Sequence, residues 1–378
     1  MGPSSDLEHH LVLVGGGHSH VEVLRHWARR PVPGVRLTVV ADSPRAVYSG
    51  MVPGFVAGRY RLDEIEIDVE RLARKAGAAW LNARATGLDT AACRLHVHGA
   101  PTLLYDTVSF DIGSTVSGLD RPGVKEHALP TRPIGDLARS ADALIARARS
   151  RSRRELRLVV AGAGAGGVEL AFAFRARFSR RGPAGGSVVL LESGSRVLPG
   201  YPRSAARRIE GNARARGIEI RCGAAVAEAY ADRLTLDNGE SIACDVLVWV
   251  AGSASLPLFD GTGLERDPRG FVAVRETLQA VGHDEIFATG DCASLISDPG
   301  LPKAGVYAVR QGPVLAHNLI ARATGRPLRA YRPQRAFLSL LNLGDGRAVA
   351  TKWGFSAEGA WAWWLKDAID RRFVRRYQ

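Results

Sequence analysis

Residues 158–167 read LVVAGAGAGG, a short apolar strand that runs directly into spaced glycines. Gly162, Gly164 and Gly167 follow the spacing G-x-G-x-x-G: the first glycine allows a tight turn, the second lets the backbone approach a pyrophosphate, and the third lets a helix pack on the strand. A helical pattern follows at once, and the free N–H groups at the start of a helix favour an anion. The segment therefore predicts a strand–turn–helix unit that binds a dinucleotide.

A second stretch, residues 11–20, repeats this arrangement as LVLVGGGHSH. Gly15 and Gly17 keep the first two glycine positions, whereas His20 stands at the third. The imidazole either packs between helix and strand, lies at the surface or faces the phosphates, and the sequence leaves these alternatives open. Two such motifs, each between a strand and a helix, are much stronger evidence than one.

Each copy continues with a second apolar strand that ends near an acidic residue, Asp42 in the first copy and Glu192 in the second. A carboxylate at this place accepts hydrogen bonds from ribose hydroxyls. Because Glu192 would repel a 2′-phosphate, it favours NADH over NADPH, although Arg196 nearby weakens that preference. Asp42 comes one position later than usual, so it matches the ribose role less well.

The two copies also match further along the chain. Asp106 lies seven residues before Gly113, and Asp245 lies seven residues before Gly252, with an apolar, strand-like stretch in each interval. A hairpin is predicted before each aspartate, and an Asn-Gly dipeptide predicts a type I′ turn in the second. The sequence therefore predicts an α/β fold with two Rossmann-like, three-layer dinucleotide-binding domains.

Composition and cysteine spacing exclude several classes of protein. The chain has 378 residues, of which 46% are apolar and 24% charged, which is typical of a globular protein of two or three domains. The longest apolar run, near residues 247–252, is far shorter than the roughly 18 residues of a membrane-spanning helix. A polar start and an early strand leave no room for a signal peptide, so we expect a cytoplasmic protein.

Neither a metal site nor a disulfide framework is expected, because no two of the four cysteines are close together: Cys93, Cys222, Cys244 and Cys292.

The chain is strongly basic, with a net charge of +13. Such an excess favours anionic partners, among them dinucleotides and lipid headgroups, or it reflects an arginine-rich solvated surface. The basic runs at residues 149–154 and 371–376 lack the interleaved aromatic residues of a single-strand binder, so no nucleic-acid partner is expected.

A third motif gives the pattern its closest resemblance. Residues 286–293 read IFATGDCA and end a strand with Gly290-Asp291. With the two glycine motifs, the chain resembles the FAD/NAD(P)-dependent pyridine nucleotide oxidoreductases, in particular their type II NADH dehydrogenase branch. More closely, it looks like the flavoprotein module that is found fused N-terminally to selenide, water dikinase, or standing alone. The stretches that carry this resemblance are GGGHSH at 15–20, YSGMVPG at 48–54, AGVYAVRQ at 304–311 and YRPQ at 331–334.

This resemblance implies FAD on the first unit and NADH on the second, with the NAD domain inserted into a discontinuous FAD domain. The implied boundaries are residues 8–120 for the first part of the FAD domain, 121–254 for the NAD(H) domain, 255–325 for the second part of the FAD domain, and 326–378 for a C-terminal segment with an amphipathic helix.

The resemblance also implies roles for single residues. Asp291 would accept hydrogen bonds from the ribityl or pyrophosphate region of the flavin. Glu169 would lie near the nicotinamide, and Lys303, at the start of a helical pattern, would stabilise the negative charge of the reduced flavin. The alternatives are a carboxylate favoured by the helix dipole for Glu169 and a solvated side chain for Lys303. The predicted cofactor-binding residues are Gly15, Gly17, His18, Asp42, Gly113, Asp291, Gly162, Gly164, Gly167, Glu192 and Gly252.

Departures from related families restrict the electron acceptor. Dithiol reductases of this fold need a cysteine pair, and residues 48–54 contain none. Sulfide:quinone oxidoreductases need a cysteine in the C-terminal third, and none follows Cys292. Of the quinone-site pattern of type II NADH dehydrogenases, only Gln311 is kept. A quinone is therefore a candidate acceptor that its own motif does not support.

The C-terminal segment carries an aromatic and basic helical pattern. An amphipathic helix of this kind either lies in a membrane interface or packs its apolar stripe on the protein. The stripe comprises Trp361, Trp364, Leu365, Ala368, Ile369, Phe373 and Tyr377, and the basic residues on the other faces are Lys366, Arg371, Arg375 and Arg376.

The leading functional hypothesis is an enzyme in which FAD accepts hydride from NAD(P)H, with NADH preferred, and passes electrons to a small-molecule acceptor. The alternative is a flavin- and NADH-binding sensor or interaction protein with little turnover. A homodimer and a peripheral position on the inner face of the membrane are further hypotheses, and neither the acceptor nor a link to selenium follows from the sequence.

Overall fold

The computed structural model describes residues 8–150, 155–179, 186–334 and 336–378. The first part of the chain forms β1 (His9–Val14), α1 (His18–Arg29), β2 (Val35–Ala41), β3 (Arg45–Val47), α2 (Val52–Val56), α3 (Leu62–Ile65), β4 (Glu66–Asp68), α4 (Val69–Lys75), β5 (Ala79–Asn82), β6 (Ala85–Asp89), β7 (Arg94–Val97), β8 (Leu103–Leu104), β9 (Thr107–Phe110) and β10 (Thr115–Val116). The middle part forms α5 (Val124–His127), β11 (Ala128–Pro130), α6 (Ile134–Ser150), β12 (Arg157–Ala161), α7 (Ala165–Ser179), β13 (Ser187–Glu192), α8 (Arg203–Ala215), β14 (Ile218–Cys222), β15 (Val226–Ala229), β16 (Arg233–Leu236), β17 (Ser241–Ala243), β18 (Val246–Trp249) and β19 (Ser253–Ala254). The last part forms β20 (Val272–Val274), β21 (Ile286–Ala288), β22 (Ala293–Leu295), α9 (Gly305–Ala323), β23 (Ser339–Asn342), β24 (Ala348–Lys352), β25 (Phe355–Gly359) and α10 (Ala360–Arg375).

Two five-stranded parallel sheets organise these elements. The first has the strand order β21-β9-β1-β2-β5 and the second the order β11-β18-β12-β13-β14. Four strands of one sheet correspond in order to four of the other, which is the repeat that the sequence predicts. Because β21 joins the first sheet from beyond the second, the first unit is discontinuous, and the predicted fold class is confirmed.

The central strands are short apolar runs because both faces of each sheet are covered. In β1, Leu11, Val12 and Leu13 are completely buried, as expected of a parallel strand with helices on both sides. The glycine turns follow β1 and β12, and the motif of Gly290 follows β21, so these segments lie at the carboxyl edges of the sheets. Ligands of open parallel sheets bind at this edge.

The connections between the two units pair with each other, since β10 and β19 form a short antiparallel ribbon. The domain limits at residues 120, 254 and 325 stay predictions. A three-stranded antiparallel sheet precedes β9, and another precedes β18, as expected from the predicted hairpins. The predicted type I′ turn is wrong: Gly239 has φ +82° but Asn238 lies outside the left-handed region, and the Gly239 N–H donates to the Leu236 carbonyl. This geometry is a type I turn that ends in a bulge glycine.

The C-terminal helix α10 packs its charged face inward, contrary to the usual placement of a lysine. Lys366, which the sequence places off the aromatic stripe, is only 9% exposed. Its ammonium donates to the Asp370 carboxylate over 2.9 Å and to the Gly50 carbonyl over 2.8 Å. The two opposite charges lie one helical turn apart and compensate each other, which makes their burial tolerable.

The aromatic stripe of α10 is divided between solvent and protein. Phe373 stacks on Tyr48 with a ring-centroid distance of 4.5 Å, and the Tyr377 hydroxyl donates to Glu22 over 2.8 Å. The other large residues of the stripe face solvent, with exposed fractions of 53% for Trp361, 75% for Trp364, 38% for Leu365 and 47% for Ile369. Within the described ranges, no helix has the length and apolar character needed to cross a bilayer.

Candidate functional site

The first glycine turn is shaped by the end of the neighbouring strand β9. Gly15 has φ +93°, and a Cβ at this position would collide with the backbone of Asp111. Gly17 caps α1, and a Cβ there would collide with the Asp111 carboxyl group. The main chain of β1 therefore turns closely past β9, which leaves the first residue of α1, His18, at the carboxyl edge of the sheet.

His18 and His20 have different surroundings in the first turn of α1. The ring of His18 lies 5.4 Å from that of Tyr48, measured between centroids, and burial lowers its pKa to about 4. His20 is fully buried, and its Nδ1 and Nε2 are hydrogen-bonded to the Gly15 carbonyl and to Ser109 Oγ over 2.7 and 2.9 Å. His20 is therefore a packing residue, which decides among the three alternatives that the sequence left open.

Two other predicted residues of the first unit lie at the same edge with more open surroundings. Asp42 follows β2, and its carboxylate pairs with Arg84 over 3.0 Å while remaining 56% exposed. Gly113 has φ +72°, and a Cβ built on it meets nothing within 4 Å. Both positions are thus accessible to a ligand that lies along the sheet edge.

Asp291 lies at the junction between the two units. It follows β21 of the first sheet, and its carboxylate accepts a hydrogen bond of 2.6 Å from Arg132, which follows β11 of the second sheet. The same guanidinium donates to the hydroxyl of Ser114. The carboxyl edges of the two sheets therefore meet at this ion pair.

Lys303 lies two residues before the start of α9, close to Asp291. Its ammonium donates to the Ala293 carbonyl and lies 4.0 Å from the centre of the Phe271 ring. Burial lowers the pKa of Lys303 to about 8, although Cys292 and Asp291 act in the opposite direction. The side chain is therefore held inside the protein rather than solvated.

The three glycines of the second glycine turn have different surroundings. Gly162 has φ +107° and passes close to the backbone of Val250, and a Cβ on Gly167 would collide with the Gly162 carbonyl. A Cβ on Gly164 would meet nothing within 4 Å, and one on Gly252 would meet only Ser117. The first and third glycines are thus needed for packing, whereas Gly164 borders open space.

Glu192 ends β13 beside this turn. Its carboxylate accepts hydrogen bonds from the backbone N–H groups of Ala163 over 2.9 Å and Gly194 over 2.8 Å. Arg196 instead donates to backbone carbonyls of its own loop, those of Leu198 and Tyr201 among them. The acid is therefore held at the glycine turn, and the arginine is engaged elsewhere.

Glu169 belongs to a charged cluster between α7 and the C-terminal helix. It accepts a hydrogen bond of 2.9 Å from the Asn342 N–H, and burial raises its pKa although Lys366 acts in the opposite direction. Asp370 accepts hydrogen bonds from Lys366 and, over 3.2 Å, from the Tyr48 hydroxyl. Burial disfavours the Lys366 ammonium, but Asp370 and Glu169 outweigh it and raise the pKa of Lys366.

A family model described as pyridine nucleotide-disulphide oxidoreductase matches residues 9–319, which include both sheets. The chain belongs to the pyridine nucleotide-disulphide oxidoreductase family. The prediction of an oxidoreductase with FAD and a nicotinamide nucleotide as its two dinucleotides is thereby confirmed.

Proteins similar to this family member include a type II NADH:quinone oxidoreductase of Haemophilus influenzae, 30% identical over 44% of this chain and 39% of that protein. An NADH dehydrogenase-like protein of Mycobacterium tuberculosis is 26% identical over 96% of this chain and 94% of its own length. The chain thus spans only about two fifths of the Haemophilus relative.

Many solved structures share the fold, among them the following two. NDH2 of Plasmodium falciparum, in complex with NADH, has a TM-score of 0.83 at 13% identity, covering 98% of this chain and 97% of that one. The sulfide:quinone oxidoreductase of Aquifex aeolicus has a TM-score of 0.82 at 17% identity, covering 98% and 91%.

The residues at the edge of the first sheet fit the flavin dinucleotide of this family. Gly113 faces open space, and at the start of α1 the Asp111 carboxyl group accepts the N–H groups of Ser19 and His20. Thr289 Oγ1, immediately before Gly290, is buried with no hydrogen-bond partner among the described residues. These features leave open space beside Gly113 and one unsatisfied hydroxyl group, that of Thr289, for a ligand at this edge.

Sequence reasoning missed three groups that the structure places at the site. Asp111 could have been found by aligning the two copies, because a carboxyl group then stands where the second copy has the apolar Val250. Nothing in the sequence indicates Arg132. Lys366 and Asp370 are spaced as an i, i+4 pair, but such pairs usually face solvent.

Proposed function

We propose that the protein is an FAD-dependent NADH oxidoreductase that passes electrons to a quinone at a membrane surface. The observation that carries the proposal is the ion pair between Arg132 and Asp291, because it brings the carboxyl edge of an NAD-type unit against that of a flavin-type unit. The names of the Haemophilus and Mycobacterium relatives favour NADH as the donor, and the Haemophilus relative favours quinone as the acceptor.

Each unit has residues suited to one dinucleotide. Gly15, Gly17 and the start of α1 would bind the pyrophosphate of FAD, Asp42 its ribose, and Asp291 its ribityl chain. Gly162, Gly164 and Gly167 would bind the pyrophosphate of NADH, with Gly252 beside the nicotinamide. Glu192 would accept hydrogen bonds from the adenosine ribose, since its carboxylate is already directed to the glycine turn.

The bound flavin supplies the chemistry of accepting a hydride and releasing single electrons or pairs. Lys303 would provide positive charge near the flavin ring, where negative charge develops on reduction. Glu169 lies in the same partly buried cluster as the Lys366–Asp370 ion pair, so it could hold a proton for the acceptor. The raised pKa of Glu169 supports this role.

The experiment measures both half-reactions in the purified holoprotein without oxygen. NADH should bleach the flavin, and a soluble quinone should restore its absorbance faster than buffer alone does. Asp291→Ala should be isolated without flavin, whereas Asp284→Ala, an exposed aspartate earlier in the same segment, should keep it. Reduced flavin that quinone does not reoxidise would refute the acceptor, and a wild-type chain that takes up no FAD would refute the enzyme.

We further propose that the exposed part of α10 brings the enzyme to anionic membranes. Trp361, Trp364, Leu365 and Ile369 form an unpaired apolar face, and Arg372 and Arg375 are exposed one and two turns further along. Basic residues near an anionic surface contribute roughly 1 kcal/mol each. Since the opposite face of α10 packs on the protein through Lys366 and Asp370, deleting the helix would disturb folding as well as docking.

A point substitution on the exposed face separates these effects. Trp364→Glu should lower sedimentation with anionic liposomes by about tenfold or more, because burying such a side chain contributes roughly 1.5–3 kcal/mol. Flavin content and thermal stability should not change. The matched control is Leu104→Glu, which changes a residue that is 62% exposed in β8. Equal sedimentation of both variants and the wild type would overturn the proposal.

A further inference from the structure

Asp111 is a buried carboxyl group placed between the two segments that would hold the flavin dinucleotide. It is 3% exposed and follows β9. Its Oδ2 accepts hydrogen bonds from the N–H groups of Ser19 over 2.7 Å and His20 over 3.1 Å, in the first turn of α1. On its other side, a Cβ on Gly290 would lie 2.7 Å from Asp111 Oδ1. The carboxyl group therefore lies between the start of α1 and the Gly290 segment, to which the proposed function assigns the pyrophosphate and the ribityl chain.

Asp111 occupies the helix start much as an anionic ligand would. Two N–H groups that would otherwise be free for a phosphate are bonded to its side chain, and the Gly17 N–H is bonded to its carbonyl. In the second unit the equivalent residue is Val250, and no side chain in the described residues accepts the N–H groups of Gly166 and Gly167. A carboxyl group at this place is therefore not required by the fold.

The charges around Asp111 do not compensate it. Within the part of the chain that the structure describes, no arginine, lysine or histidine forms an ion pair with it, and Arg132 is paired with Asp291 instead. Burial raises the pKa of Asp111 to about 7 against the effect of its two backbone hydrogen bonds, and Asp291 raises it further. The ionisable groups that interact with Asp111 are Asp291 and Cys292 after β21, and the neighbouring segments also carry His18, His20 and Lys303.

We propose that Asp111 is protonated when FAD is bound, so that the Asp111 carboxyl group couples flavin binding to the uptake of one proton. The inference rests on the proposed function, because it needs a pyrophosphate at the start of α1. The two negative charges of the FAD pyrophosphate and a carboxylate repel each other across a short, desolvated distance. A protonated Asp111 still accepts the two backbone hydrogen bonds and offers an O–H donor to the ligand.

The pH dependence follows from the linkage between proton and flavin. Below pH 7 the Asp111 carboxyl group is already protonated in the free protein, and FAD binds without a penalty. As the pH rises through the pKa of about 7, binding must draw a proton from solvent, and the affinity falls by about tenfold per pH unit. Burial lowers the pKa values of His18 and His20 to about 4 and raises that of Cys292 to about 12, so these groups do not titrate in this range.

The test measures the dissociation constant of FAD between pH 5.5 and 8.5, from the flavin fluorescence that appears when the full-length holoprotein is diluted. The wild type should bind progressively more weakly above pH 7. Asp111→Asn, which keeps the acceptor oxygen without the charge, should bind FAD at pH 8.5 as tightly as the wild type does at pH 5.5. Asp106→Asn, at the opposite end of β9, is the matched control and should keep the wild-type slope.

Lys303 is the one neighbour whose pKa, about 8, lies close to this range. The arginine in Lys303→Arg stays protonated across this range, so this variant should retain the pH dependence of the FAD affinity. If Asp111→Asn does not fold, Lys303→Arg shows whether the titration of Lys303 causes that dependence. A wild-type affinity that does not change with pH, a slope that persists in Asp111→Asn, or a slope that disappears in Lys303→Arg would overturn the proposal. A chain that binds no FAD at any pH would instead refute the proposed function.

Discussion

The two dinucleotide units share a sheet order but differ beneath their glycine turns. In the second unit Gly167, Val248 and Val250 leave the contact between helix and strand small and apolar. At the equivalent places the first unit has the buried residues His20, Ser109 and Asp111. The His20 ring is hydrogen-bonded to the Gly15 carbonyl and to the Ser109 hydroxyl, and the Asp111 carboxyl group accepts two N–H groups of α1. The same main-chain architecture is thus stabilised by close packing in one unit and by a polar network in the other.

This difference shows that the third glycine of the motif is one solution among others. A glycine there is needed only if nothing else fills the space between helix and strand. His20 replaces it by bonding to the carbonyl of the first glycine, so the helix is fixed by hydrogen bonds whose loss would leave buried polar groups unpaired. A substitution at this position should therefore destabilise each unit for a different reason: lost hydrogen bonds in the first unit and overpacking in the second.

The largest effect is expected from His20→Gly, which gives the first unit the residue of the second. The substitution removes two buried hydrogen bonds, leaves Ser109 unpaired and opens a cavity, so the free energy of unfolding should fall by roughly 3–5 kcal/mol. Urea unfolding monitored by flavin release would measure it. His96→Ala, which changes an exposed histidine in β7, should leave the midpoint unchanged, and a neutral His20→Gly would mean that the polar network does not hold the turn.

A smaller effect is expected from Gly167→Ala in the second unit. The new Cβ collides with the Gly162 carbonyl, and overpacking of this kind costs roughly 1–3 kcal/mol of stability. NADH should also reduce the flavin more slowly, with flavin content unchanged. Gly164→Ala is the companion variant: its Cβ meets no protein atom, so it should slow reduction by NADH without lowering the stability. Equal losses of stability in the two variants would show that Gly164 is also needed for packing and does not border the open space that the ligand would fill.

The effect expected from Glu192→Gln is similar in size to that of Gly167→Ala, but it is confined to the choice of cofactor and leaves the stability unchanged. The carboxylate bonds to the glycine turn, and losing one charge-assisted hydrogen bond to a ribose hydroxyl costs roughly 1.5–3 kcal/mol. The ratio of kcat/KM for NADH over that for NADPH should therefore fall by about tenfold or more. Glu240→Gln, in the hairpin turn before β17, is the control. A wild-type enzyme that prefers NADPH would show that Glu192 does not select the cofactor.

The sequence predicts the repeated units because their signals are local. An apolar run, spaced glycines and a helical pattern within about twenty residues define each strand–turn–helix unit, and the structure has both units with parallel sheets. The insertion of one unit into the other came from the family resemblance, since no local pattern shows that β21 joins the first sheet.

The residues that were missed act over long distances in the sequence. Asp111 bonds to N–H groups about ninety positions earlier in the chain, and Arg132 bonds to a carboxylate 159 positions later. For α10 the periodicity shows two faces but not which one packs. Lys366 and Asp370 neutralise each other, so the charged face is the one that is buried.

The most direct test of a flavin on the first unit and NADH on the second is an anaerobic titration of the yellow holoprotein with NADH, followed by the visible absorbance of the flavin. One equivalent of NADH should bleach one flavin per chain and yield one equivalent of NAD⁺. Flavin absorbance that dithionite removes but NADH leaves unchanged would contradict this division of roles between the two units.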